Sequence, residues 1–223
     1  MQDKATPLKC LVFDCDGVMF DSREANRAFY NHLLAIFSLP PMTEDQLDFV
    51  HMASSSGAIE YLFKDQPVTP ATVRRLNQDL DYTPFLRFMT MESDLLFFLE
   101  RIRPLCITAI STNRTNTMDM LLETFNLRHC FDMVVTALDT PRPKPAPDAL
   151  LMIMQEFSLA PEEILFIGDS QVDRDHSRNA GVKLIAFRNP SLEAEYHVSN
   201  FTDILDIPAV RNLLATNTTN LSP

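Results

Sequence analysis

Glycine is scarce in this chain: Gly17, Gly57, Gly168 and Gly181 are the only 4 in 223 residues. None belongs to a glycine-rich phosphate loop of the Walker or dinucleotide type. Long apolar runs are also missing. No stretch approaches the roughly 20 residues that a membrane-spanning helix needs. Positive charge is short, with 19 Lys and Arg against 30 Asp and Glu and a net charge of -11. That balance argues against nucleic acid as the main partner and gives no attraction to anionic membranes. Residues 1–6 are polar, and no signal peptide is expected. The four cysteines, Cys10, Cys15, Cys106 and Cys130, show no metal-type pairing. Two of them lie in expected strands, so reduced thiols in a cytoplasm fit better than a disulfide framework. Internal repeats and low-complexity segments are absent.

What is present starts with an ordinary soluble composition, 46% hydrophobic. The run Leu11-Val12-Phe13-Asp14-Cys15-Asp16-Gly17-Val18 is the most informative stretch. Cys10 to Phe13 reads as a short buried strand. Two carboxylates follow at its C-terminal tip, where sites in open α/β sheets gather. Gly17 permits the sharp turn behind them. Carboxylates this close repel one another and are costly to bury, so a divalent cation is expected between them.

From Asp21 the pattern turns helical. Asp21 with Glu24 fits a capping box, and Phe29, Leu33, Ile36 and Phe37 follow at helical spacing until Pro40 and Pro41 stop them. Further helices are expected at 44–51, 58–63, 70–80 and 84–88, with no strand between 21 and 88. A second regime then alternates. Helix 93–101 leads to strand 105–110, helix 117–125, strand 133–137, helix 147–157, strand 164–167, helix 174–180 and strand 183–187. Gly181 reads as the C-cap of the last helix. Alternation of this kind means crossover units and a parallel sheet. The tail from Ala215 is polar and expected to fray. The fold class is therefore α/β: a Rossmann-like parallel-sheet core, residues 1–20 and 89–223, with an all-α helical insertion at 21–88.

Four strand tips carry polar groups. They are Asp14 with Asp16, Ser111-Thr112-Asn113, the proline-rich loop around Lys144, and Gly168-Asp169-Ser170-Gln171-Val172-Asp173. Alternate prolines are expected to hold Lys144 in an extended backbone. In a parallel sheet these tips share one edge. Three carboxylates from two tips suit Mg²⁺. A lysine and a hydroxyl suit phosphate oxygens. Asp14 can attack phosphorus, and Asp16 can move protons.

Asp14-x-Asp16-Gly17-Val18, Thr112-Asn113, Lys144-Pro145-x-Pro147-Asp148 and Gly168-Asp169-Ser170-x-x-Asp173 resemble, in order and spacing, the four motifs of the haloacid dehalogenase-like (HAD) superfamily. The resemblance covers nearly the whole chain. It is strongest to the branch of phosphoglycolate phosphatases and β-phosphoglucomutases, which carries a helical cap after the first motif. It implies a nucleophilic Asp14 that also binds Mg²⁺, and an acid/base Asp16 that gives its main-chain carbonyl to the metal. Thr112, Asn113 and Lys144 would form the phosphate site and Asp169 a further metal ligand. Asp173 would act on the metal through water or through Lys144. It further implies a cap that opens for substrate and closes against water.

The acid/base aspartate favours a phosphate ester over a haloacid or phosphonate. Asn26 stands near the place where the sugar phosphomutases of the branch keep a histidine, which favours a phosphatase over a mutase. Residues 52–57, the expected substrate loop of the cap, contain no Arg or Lys. Plainer readings exist for single motifs. Asp-x-Asp-Gly alone also fits a turn, Thr112 and Asn113 fit a helix cap, and Asp173 fits the N-cap of helix 174–180. Cys15 reads as buried filler, the histidines as surface or structural residues, and Ser54 to Ser56 as a flexible loop. The expected protein is a cytoplasmic, monomeric or homodimeric phosphatase for a small phosphorylated molecule. A sugar phosphomutase and a receiver-like phospho-module are the rivals.

Overall fold

The computed structural model of the chain describes residues 6–53, 55–115 and 117–218. They fall into two compact units, Met1–Phe20 with Met91–Pro223, and Asp21–Thr90.

The first unit is built on a six-stranded parallel sheet. Its strands are β1 (Cys10–Phe13), β4 (Ile107–Ser111), β5 (Met133–Val135), β6 (Ile164–Gly168), β7 (Lys183–Phe187) and β8 (Tyr196–Val198), in the order β5-β4-β1-β6-β7-β8. β1 and β6 are buried at every position, as continuous apolar runs in a parallel sheet require. Helices α6 (Leu95–Ile102), α7 (Thr117–Thr124), α8 (Asp148–Phe157), α9 (Gln171–Ala180), α10 (Phe201–Ile204) and α11 (Pro208–Thr218) complete the unit. On one side Phe13 meets Phe98, Phe131 and Phe201 at ring centroid distances of 6.1, 5.6 and 6.0 Å. A second cluster joins Val12 and Phe166 of the sheet to Leu150, Ile153 and Ala180 of α8 and α9. A separate two-stranded sheet pairs β2 (Phe20–Asp21) with β3 (Thr90–Met91).

The second unit is helical: α1 (Arg23–Ile36), α2 (Glu44–Met52), α3 (Ser55–Phe63), α4 (Pro70–Asp79) and α5 (Thr83–Leu86). Its core is Phe29, Leu33, Leu47, Ile59, Leu62, Phe63 and Val73. These are the faces that helical spacing selects.

Several local expectations need correction. Asp21 does not cap α1. The cap position is Ser22, and Asp21 Oδ1 accepts from Arg23 N–H at 2.9 Å. Glu24 is drawn instead to Arg27. α1 ends at Ile36, ahead of Pro40, because the chain turns at Ser38, where φ is 57°. The expected loop at 54–56 is largely helix. Ser55 and Ser56 open α3, where packing of Ala58, Ile59 and Phe63 outweighs poor local propensity, and Ser54 lies outside the described residues. The tail is helical to Thr218, and residues 219–223 lie outside the described residues. β2, β3 and β8 are two or three residues long, too short to show a period.

Candidate active site

The sheet register delivers the carboxylates to one edge. Phe13 is level with Ile110 of β4 and with Ile167 of β6. Asp14 N–H still donates to Ile167 O at 2.9 Å, so Asp14 is the first side chain beyond the ladder. β6 ends at Gly168, and Asp169 follows it. Two glycines make this packing possible. A Cβ on Gly17, where φ is 78°, would overlap the Asp169 carboxylate. A Cβ on Gly168 would overlap the Asp173 side chain. α9 then starts at Gln171 with a reciprocal cap. Asp173 N–H donates to Ser170 Oγ at 3.3 Å, and Ser170 Oγ donates to Asp173 Oδ2 at 2.6 Å. Asp173 is therefore the third residue of α9 and not its N-cap, because the shorter Ser170 already occupies that position.

Lys144 meets these groups from the proline-rich loop. It sits in a turn, with a cis bond to Pro145, where an extended backbone was expected. Its Nζ lies 2.7 Å from Asp14 Oδ1 and 2.6 Å from Asp173 Oδ1. Oxygens of Asp14, Asp169 and Asp173 all lie within 4.8 Å of one another.

Three carboxylates thus face one ammonium, which leaves two negative charges unbalanced. The titration behaviour follows. Burial, then Asp173, push Asp14 well above the usual carboxylate range against the pull of Lys144. Burial and Asp173 push Asp169 up to about 7. Burial works the same way on Asp173, but Lys144 and the Ser170 hydroxyl outweigh it and hold its pKa below the usual value. Lys144 is raised above an ordinary lysine because Asp14 and Asp173 overcome its burial. Two excess negative charges on hard oxygen ligands fit one divalent cation. Asp14 and Asp169 are the carboxylates whose ionisation such a cation would relieve.

The remaining expected residues are arranged differently from one another. Asp16 lies outside the carboxylate trio. Arg114 clamps it with two bonds of 2.7 Å, Nε to Oδ2 and Nη2 to Oδ1. Both oxygens of the Asp16 side chain are taken by this guanidinium, so its expected metal contact is left to the main-chain carbonyl. Thr112 is nearly buried at the tip of β4, and its Oγ1 accepts from Arg114 N–H at 3.1 Å. That leaves the hydroxyl proton to donate. Asn113 does not point at the trio. Its amide spans the main chain of Lys144, accepting from Lys144 N–H at 2.9 Å and donating to Lys144 O at 3.1 Å. The amide thereby supports the lysine loop. Ser111, the neighbouring hydroxyl, lies 2.9 Å from His176 Nε2.

Four residues of this site were not singled out from the sequence: Arg114, His176, Asn179 and Asn189. Asn179 donates to Pro145 O at 3.0 Å, and Asn189 donates to Asp169 O at 2.8 Å. Each acts on a segment at least 20 residues away, and no local spacing signals such a partner. Arg114 alone had a cue, its position directly after Thr112-Asn113.

Strand tips that gather a carboxylate trio and a lysine define an α/β enzyme site suited to phosphate chemistry. Residues 11–187 match the family model of haloacid dehalogenase-like hydrolases, and the chain belongs to that family. It is similar to a solved HAD-superfamily hydrolase of subfamily IA from Geobacter sulfurreducens. The two share 34% identity and a TM-score of 0.80 over 89% of this chain and 98% of that one. It is 32% identical over 211 residues to the pyrophosphatase PpaX of Bacillus mycoides, covering 90% of this chain and 96% of the relative. It is 24% identical over 216 residues to a phosphoglycolate phosphatase of Rhodobacter capsulatus, covering 90% and 95%. The chain is thus a hydrolase of the phosphatase kind. Among the described residues no helix is long and apolar enough to cross a membrane.

Proposed function

We propose that this chain is a Mg²⁺-dependent phosphatase for a small soluble phosphate monoester, working through an aspartyl phosphate on Asp14. One observation carries the reading: Lys144 Nζ lies 2.7 Å from Asp14 Oδ1, within a carboxylate trio that has negative charge in excess. Phosphoryl transfer needs an in-line nucleophile, charge neutralisation and a proton donor. Asp14 supplies the attacking lone pair. As its bond to phosphorus forms, the ester P–O bond breaks, and the leaving oxygen takes a proton from Asp16. Water then attacks the phosphorus, gives its proton to Asp16 and frees Asp14 and inorganic phosphate. Lys144 and the Thr112 hydroxyl hold the phosphoryl oxygens. Asp16 releases one of its two Arg114 bonds to carry a proton. Mg²⁺, held by Asp14, Asp169 and the main-chain carbonyl of Asp16, would neutralise charge on the phosphoryl oxygens. Asp173 acts through Lys144, because Lys144, Ser170 and main-chain N–H groups already occupy its oxygens.

In this reading 1–20 and 89–223 are the catalytic core, and the helical residues 21–88 are the cap that selects substrate. The free thiols Cys10, Cys15, Cys106 and Cys130 agree with a reducing cytoplasm. The test is phosphate release from a panel holding phosphoglycolate, sugar phosphates and pyrophosphate, with and without Mg²⁺. Mg²⁺-dependent release from at least one monoester is expected. No release from any compound sinks the reading, and an isomerised sugar phosphate without free phosphate makes the chain a mutase.

A further inference from the structure

His176 is a buried titratable side chain that the proposed chemistry does not use. It is fully buried on α9, edge-on to Phe166 at a centroid distance of 5.3 Å. Its Nδ1 lies 2.6 Å from Ala146 O, and its Nε2 lies 2.9 Å from Ser111 Oγ. A carbonyl only accepts, so Nδ1 carries the hydrogen. Burial, with the nearby charge of Lys144, lowers the pKa of His176 to about 4. The ring is therefore neutral near pH 7, and Nε2 accepts from the Ser111 hydroxyl.

The partners of this ring are informative. Ser111 immediately precedes Thr112. Ala146 follows Lys144 by two residues. His176 itself follows Asp173 by three, on the same helix. One side chain thus links the tip of β4, the lysine loop and α9, which carry the hydroxyl, the ammonium and the carboxylate that orients the ammonium.

We propose that His176 is a positioning residue that fixes the Thr112 hydroxyl, the Lys144 ammonium and Asp173 at the spacing that one phosphoryl group requires. This inference rests on the phosphatase reading. Asn113 and Asn179 also hold the lysine loop, through Lys144 and Pro145. Losing His176 therefore loosens the registration of three segments without releasing the loop. Misplacement of binding groups by about 1 Å is enough to cost on the order of 10²-fold in rate.

The test uses the full chain with Mg²⁺ and p-nitrophenyl phosphate. It reads kcat, KM and the inhibition constant of inorganic phosphate. Ser111→Ala removes one hydroxyl. His176→Asn keeps a donor for Ala146 O and drops the Ser111 bond. Each is expected to lower kcat about 10- to 100-fold and to weaken phosphate inhibition. The Ser111→Ala protein is expected to fold with a somewhat lower Tm, because His176 Nε2 loses its buried donor. Because the two residues act as one unit, Ser111→Ala combined with His176→Ala is expected to be no worse than His176→Ala alone. Wild-type kcat and phosphate inhibition in both Ser111→Ala and His176→Asn overturn the inference, as does a double variant that loses the product of the single losses. If His176→Ala does not fold, the two conservative variants decide alone. A wild-type chain without turnover overturns the phosphatase reading and this inference together. Wild-type turnover with unaffected variants overturns the inference only.

Discussion

The two units of this chain use charge in opposite ways. In the helical unit Arg27 Nη1 lies 2.6 Å from Glu44, with the Glu44 side chain 66% exposed. In the α/β unit Lys144 Nζ lies the same 2.6 Å from Asp173, with both side chains no more than 4% exposed. Distance does not separate the two pairs; burial does. Water screens the exposed network of Arg23, Arg27, Glu44 and Asp48 and competes for its bonds, so it contributes little to stability. At the strand tips water is largely excluded, and each charge depends on its partners. Groups arranged in this way are held ready for chemistry at a cost in stability.

Of the changes that bear on this contrast, removing Lys144 is expected to have the largest effect. Lys144→Ala strands Asp14 and Asp173 together, a loss of about 3–5 kcal/mol for an uncompensated buried charge. Turnover of p-nitrophenyl phosphate is expected to fall about 10²–10³-fold. Chemical denaturation and a rate assay read the two effects, and a variant as stable and active as the wild type would erase the contrast between the units.

Next in size is the response to Mg²⁺ across pH. Asp169 is raised from 3.8 to about 7 in the folded chain. Without metal, its contribution to stability is present below its unfolded value and is lost as pH rises through about 7. Asp14 shifts in the same direction. A cation must displace these protons at low pH and relieves the repulsion at high pH. The rise in Tm on adding Mg²⁺ is therefore expected to be small near pH 5 and large near pH 8. A larger rise at the acid end would contradict the charge balance drawn here.

The smallest effect belongs to the exposed pair. The two arginines pull Glu44 down to about 2, with Arg27 the larger influence. Even so, Glu44→Gln is expected to leave Tm and turnover unchanged within error, because solvent replaces the lost bonds. A clear drop in Tm would show that the helical unit relies on its surface charges.

The same contrast explains what could be read from the chain. β1, β6 and β7 stand out as apolar runs because a parallel sheet buries both of their faces. Asp14, Lys144, Asp169 and Asp173 stand out because each lies beside a strand tip or in a stiff loop. Side chains that act across long separations leave no local pattern. Arg114 reaches Asp16 across 98 residues, and His176 reaches Ser111 across 65. Asn113 sat in the right motif, but which way its amide faces depends on a loop 31 residues away. In the helical unit the apolar spacing of α1 was clear. Its exact end was not, because a single left-handed residue, Ser38, turns the chain before the prolines do.

The central claim is that Asp14 is the nucleophile, and Asp14→Asn tests it most directly. The amide keeps the shape of the side chain and replaces the nucleophilic carboxylate with a neutral, poorly nucleophilic group. With Mg²⁺ and p-nitrophenyl phosphate, the variant is expected to fold as the wild type does and to release phosphate at background rate. Release at the wild-type rate by a folded Asp14→Asn protein would contradict the claim.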